Sequence, residues 1–147
     1  MILKLKITED MKSAMRAKDS ARLGAIRLLQ AAIKQREVDE RIVLSDADVI
    51  TVIEKMLKQR RDSIAAYESA SRTDLADVEK YEVSVLQEYL PQQLTDVEIK
   101  IILDKVVVDT GATGVKDMGK VMAAIKPLVA GKADMGKISG LIKTRLA

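Results

Sequence analysis

Apolar residues recur every three or four positions along most of this chain, with charged residues filling the gaps. Leu3, Ile7, Met11, Ala14 and Met15 share one stripe, the spacing of an amphipathic helix. The stretch Ala17–Ser20 offers an N-cap for a second helix, which places Ile26, Leu29 and Ile33 on a common face. "REVDERIVLSD" then turns the chain. Ser45 and Asp48 form the cap of a third helix, with Val49, Ile53, Met56, Leu57, Ile64 and Tyr67 on its face. Without an internal Gly or Pro, about 25 residues there span about 37 Å. A fourth helix follows Thr73 and Asp74, with Val78, Tyr81, Val85, Leu86 and Tyr89 as its stripe.

"YLPQQLTDVE" breaks the pattern. Pro91 stops the fourth helix, and Thr95 with Glu98 makes a T-x-x-E capping box for a fifth. That helix offers Ile99, Ile102, Leu103, Val106 and Val107 and stops at Gly111, although its β-branched run weakens the helical pattern. The expectation is an all-α fold: an N-terminal four-helix bundle over residues 1–92 and a C-terminal three-helix domain over residues 95–147.

The last two helices are a repeat. "GVKDMGKVMAAIKPLVA" (114–130) aligns without gaps on "GKADMGKISGLIKTRLA" (131–147), with eight of 17 positions identical. Both copies begin G-x-x-x-x-G-K, as a phosphate-binding P-loop does. A P-loop then needs Ser or Thr to hold magnesium and a preceding buried strand. Val121 and Ile138 occupy that position, so nucleotide binding is not expected. The unit reads instead as a helix with Asp117 or Asp134 as N-cap. At about 100° per residue, Met118, Val121, Met122 and Ile125 form the buried stripe of one copy. Met135, Ile138, Ile142 and Leu146 form that of the other. Opposite them lie Gly119, Ala123 and Pro127, and Gly136, Gly140 and Thr144. Pro127 is expected to end or kink its helix.

Composition narrows the chemistry. His and Cys are both absent, which removes triads, thiol chemistry and His or thiolate metal sites. No catalytic residues, metal ligands or cofactors are expected. Glu79, Glu82 and Glu88 read as helix-surface carboxylates, and the basic run "KMLKQRRDS" as a solvated face. No segment is apolar enough to cross a membrane, and the start lacks a signal-peptide pattern, so the cytoplasm is the expected compartment.

Charge singles out the repeat. Residues 1–95 hold 16 basic and 16 acidic side chains, whereas from Gly111 onward there are seven basic residues and two acids. Those seven are Lys116, Lys120, Lys126, Lys132, Lys137, Lys143 and Arg145. Together with Gly119 and Gly136 they are the candidate nucleic-acid-binding residues. Small residues would let a sugar-phosphate backbone approach while lysines meet phosphates. The alternative is that the glycines permit close helix packing and the lysines keep a small domain soluble. Spacing alone does not separate the two.

The segments "RRDSIAAYESASRTDLADVEKYEVSVLQEYLPQQLT" (60–95) and "MGKVMAAIKPLVAGKADMGKISGLIK" (118–143) resemble the E-x-x-E…L-x-x-Y-L-P and M-G-K-V-M…G-[KR]-A-D motifs of the GatB/YqeY family. Met118, Gly119, Lys120, Gly131, Ala133 and Asp134 keep the second motif. The resemblance covers essentially the whole chain and is strongest to free-standing YqeY-like members. It implies an all-helical module like the tail found on one component of the glutamine-dependent aspartyl/glutamyl-tRNA amidotransferase, a tail that helps hold tRNA. The catalytic cradle of that enzyme lies in a larger domain that has no counterpart here. The implied role is therefore a non-catalytic tRNA-binding or adaptor module. The alternative is an accessory component of an amidotransferase-type carbon–nitrogen ligase, with glutamine as nitrogen donor, acting through a protein partner. The implied partners are tRNA and, beside it, a tRNA synthetase or amidotransferase subunit.

Overall fold

The computed structural model describes residues 2–147. Among them are seven α-helices and no strand. The helices are α1 (Ile2–Arg16), α2 (Ser20–Glu40), α3 (Asp46–Ser69), α4 (Thr73–Gln87), α5 (Asp96–Thr110), α6 (Met118–Val129) and α7 (Met135–Leu146), with a 3-10 turn at Val115–Asp117 before α6. None of these helices is long and apolar enough to cross a membrane. The chain divides into two compact units, one ending at Leu90 and one running Pro91–Ala147.

The first unit holds α1 to α4. Its boundaries follow local chemistry. Asp19 caps α2 by accepting the Arg22 N–H. Ser45 and Asp48 form a reciprocal capping box at the start of α3, which satisfies two donors that a helix otherwise leaves orphaned. The donors of Ser45, backbone first, hold the Asp48 carboxyl below the usual carboxylate range. The chain turns within "REVDERIVLSD" as expected, but the first five residues of that segment are still helical. They continue α2 to Glu40, and the reversal comes at Arg41, in the left-handed region at φ 54°.

Ile7, Ile26, Leu29, Val49, Ile53, Leu57, Val85 and Leu86 build the core of this unit. Tyr89 joins them, and its hydroxyl donates to Asp10 at 2.7 Å. Burial, and then that carboxylate, push the phenol well above its usual range. Three residues expected in the core are exposed instead: Met15, Val78 and Tyr81. The apolar stripe of α4 is wider than the face its neighbours cover, and only Val85, Leu86 and the small Ala76 are sealed on that helix.

Two carboxylates expected at the surface are partly withdrawn from it. Arg60, from the basic run on α3, turns toward α4 and donates to Glu82 at 2.8 Å, with Glu79 at 3.5 Å. Glu88 pairs with Arg22 at 3.0 Å.

The second unit packs α5, α6 and α7 around Ile99, Leu103, Val106, Val121, Ile125, Ile138 and Ile142. All three tyrosines lie in the first unit, so this core is wholly aliphatic. The Thr95 hydroxyl accepts the Glu98 N–H at 3.2 Å, and Glu98 accepts from that same hydroxyl. Gly111 ends α5 in the left-handed region at φ 67°, where a residue without Cβ is unstrained. Gln93 and Leu94 bond to the carbonyls of Gly131 and Lys132, both at 2.8 Å. These bonds tie the segment before α5 to the turn between α6 and α7.

Candidate nucleic-acid interface

The two copies of the repeat form α6 and α7, which pack as neighbours. On α6 the inward face is Val121, Ile125 and Val129, and on α7 it is Ile138, Ile142 and Leu146. Met118, Met122 and Met135 flank these residues, half-buried. Each helix therefore turns its other side to solvent. Gly119, Ala123 and Pro127 are exposed on α6, and Gly136, Gly140 and Thr144 on α7.

The glycines were the ambiguous feature of the sequence. A methyl group placed on Gly119 or Gly140 would meet no neighbouring atom within 4 Å. On Gly136 it would touch only the carboxylate of Asp134, at an ordinary 3.6 Å. No helix packs against this strip in the unit, so close helix packing does not account for these glycines. The cost is still present at Gly140, which lies inside α7. Glycine inside a helix is about 1 kcal/mol less favourable than alanine, and nothing in the fold offsets that at Gly140.

All nine candidate residues are exposed: Lys116, Gly119, Lys120, Lys126, Lys132, Gly136, Lys137, Lys143 and Arg145. Their local settings differ. Lys116 and Lys120 both act on Asp117, whose carboxyl is held below its usual range chiefly by the Thr113 N–H. Lys137 is paired with Asp96, and Arg145 with Asp104 at 3.2 Å. Lys126, Lys132 and Lys143 are in no ion pair among the described residues.

Neither apolar periodicity nor the basic bias singles out Asp96 and Asp104. They stand eight apart on α5, and Lys137 and Arg145 stand eight apart on α7. That matched two-turn spacing was visible in the sequence. These are exposed pairs, worth well under about 1 kcal/mol each, so phosphates can compete for both cations.

The repeat is less regular than its sequence. Asp134 caps α7 by accepting the Gly136 N–H at 3.2 Å. Asp117 stands at the corresponding place but does not cap α6. Its carboxylate reaches back to the Thr113 N–H at 2.9 Å, because the 3-10 turn already satisfies the first amide of the helix: Met118 donates to Val115. Pro127 does not end α6, which continues to Val129. The carbonyl left without its usual donor belongs to Ala123, an exposed residue, and water can serve it.

Relatives of this chain include fungal proteins. One, named altered inheritance of mitochondria protein 41, mitochondrial, from Vanderwaltozyma polyspora, is 31% identical over 122 residues, covering 78% of this chain and 65% of the relative. The protein of the same name from Pyrenophora tritici-repentis is 30% identical over 129 residues, covering 87% and 71%. The one from Candida glabrata is 33% identical over 88 residues, covering 58% and 48%. The chain thus spans between about half and about two thirds of the length of the first and third of these. The family described as Yqey-like protein matches residues 4–146. With that match running through all seven helices, the chain belongs to the Yqey-like protein family.

Proposed function

We propose that this protein is a non-catalytic tRNA-binding or adaptor module whose RNA-facing surface is the outer side of α6 and α7. The observation that carries the reading is the exposed strip of helical glycines between lysines, against which no helix of the unit packs and only the Asp134 carboxylate comes near, at Gly136. A strip of that kind costs stability and has no structural return within its unit. A sugar-phosphate backbone would supply the return, since it needs close approach and nearby cations. On this reading the four-helix and three-helix units are separate domains, and RNA belongs to the second. The resemblance to amidotransferase tails supports tRNA as the substrate. The cytoplasm is the compartment we propose for this chain, whereas the fungal relatives carry mitochondria in their names.

The test is to fill the strip while leaving every charge in place. Gly119→Leu and Gly136→Leu replace a poor helix former with a good one at open positions, so melting temperature should hold or rise. The affinity for tRNA should fall by about tenfold or more, equivalent to about 1.4 kcal/mol. Filter binding and thermal melting on the same proteins decide it. Leu variants that lose stability yet bind tRNA normally would defeat the reading.

A further inference from the structure

A second unfilled surface lies on the four-helix unit, between α2 and α4. It is a groove of about 670 Å³, lined overwhelmingly by apolar surface. Its walls include Leu28, Val78 and Tyr81, which are 46%, 58% and 39% exposed. Val78 and Tyr81 sit on the stripe whose period marks them for a core, yet no helix of this unit covers them. The floor includes Gly24, in the second turn of α2. A Cβ there would meet nothing within 4 Å, so this glycine, too, is a destabilising choice that the fold does not require.

The charges at the groove have one sign. Asp77 and Glu82 line it, and no Lys or Arg does. Glu82 is already held by Arg60. Asp77 is in no ion pair among the described residues. The cation it acts on, Lys80, is bonded to Glu68 at 2.8 Å. From Ser20 to Leu28 the groove follows α2 for about 12 Å, two helical turns. Carboxylates at its edge disfavour nucleic acid, so this surface is chemically distinct from the lysine strip on α6 and α7.

We propose that this groove seats an amphipathic helix of a protein partner, one presenting two large aliphatic side chains a turn apart with a lysine or arginine beside them. The aliphatic pair would cover Leu28, Val78 and Tyr81. Gly24 would let the incoming backbone lie close, and the cation would meet Asp77. This is the helix-in-groove mode of recognition, and it stands independently of the RNA reading.

The experiment uses the full chain and two short fluorescein-labelled helical peptides. One carries Leu a turn apart with flanking Lys; the other is identical but has Glu for each Lys. Fluorescence anisotropy should show saturable micromolar binding of the Lys peptide and binding at least about tenfold weaker for the Glu peptide. Gly24→Leu, which fills the floor, and Val78→Ser, which lowers a wall, should each weaken the Lys peptide by about tenfold while melting as the parent does. Asp77→Lys should reverse the preference between the peptides. The proposal is overturned by no binding, by equal binding of both peptides, or by binding indifferent to the substitutions at both Gly24 and Val78. Displacement of the peptide by tRNA would assign the groove to RNA instead. A concentration-dependent dimer abolished by Gly24→Leu would assign it to a second copy. Either result overturns the proposal.

Discussion

Ile125→Ala should cost the C-terminal unit about 3 kcal/mol. Ile125 has no exposed surface and stands at the centre of an aliphatic cluster with Val121, Ile138 and Ile142. Removing three buried carbons loses their transfer free energy and leaves a cavity, together about 2–5 kcal/mol. Two features of this core place the value in the middle of that range. There is no aromatic ring to tilt into the hole, but Met118 and Met122 lie beside the cluster, half-buried, and an unbranched thioether side chain can relax into part of it. A unit this small carries only about 3–8 kcal/mol in total, so the loss removes most of its stability. Calorimetry should show the transition of the second unit shifted far down while that of the first is unmoved. Leu128→Ala on the same helix is the control. Leu128 is 51% exposed, and its truncation should change stability by less than about 0.5 kcal/mol. Equal effects of the two substitutions would contradict the packing described for α6.

Arg60→Met should cost the four-helix unit about 2 kcal/mol, for a different reason. The guanidinium holds two carboxylates one turn apart on α4, and the three side chains are 18% (Arg60), 18% (Glu82) and 21% (Glu79) exposed. Methionine keeps much of the apolar stem and removes the charge. Glu79 and Glu82 are then left facing each other, partly desolvated. One oxygen of Glu79 is buried and already lacks a hydrogen bond, so the ion pair with Arg60 is what compensates it. Breaking a buried pair from one side costs several kcal/mol, and the residual solvent access here reduces that. Adding Glu79→Gln and Glu82→Gln to Arg60→Met should restore at least half of the loss, because the uncompensated charges are then gone. Urea denaturation of the three proteins reads this. If the triple variant is no more stable than the single one, the loss was packing and not charge.

The number of helices, their type and most of their inward faces were legible in the sequence. Regular spacing of aliphatic residues, with caps at Asp19, Ser45, Thr95 and Gly111, leaves few alternatives for this chain. Periodicity fails where burial depends on a neighbour. Val78 and Tyr81 have the right phase on α4, but phase says which side of a helix is apolar and not how much of that side another helix covers. Arg60 was hidden inside a basic run for a related reason: its neighbours do face water, and only α4 supplies the two carboxylates that turn it inward. At the candidate interface, all seven basic residues were identifiable from charge distribution alone. Whether a helix of the unit packs on the glycines was not, because Gly119 and Gly140 have the same spacing whether a helix or open solvent lies over them. Asp117 and Asp134 occupy equivalent positions in the repeat, yet only Asp134 caps its helix, since the backbone ahead of α6 had already tightened into a 3-10 turn.

The central claim is that lysines on α6 and α7 neutralise RNA phosphates, and salt dependence tests it most directly. Binding of tRNA to the parent chain and to the double variant Lys120→Gln/Lys137→Gln should be measured across a range of monovalent salt. Each phosphate neutralised on duplex-like nucleic acid contributes a log–log slope of about −0.9. The double variant should therefore bind more weakly at low salt and show a slope shallower by about two units. Its melting temperature should stay near the parent's, since Lys120 is in no ion pair among the described residues and Lys137 loses only the exposed pair with Asp96. Identical affinity and identical slope in the two proteins would remove these lysines from RNA binding and contradict the account.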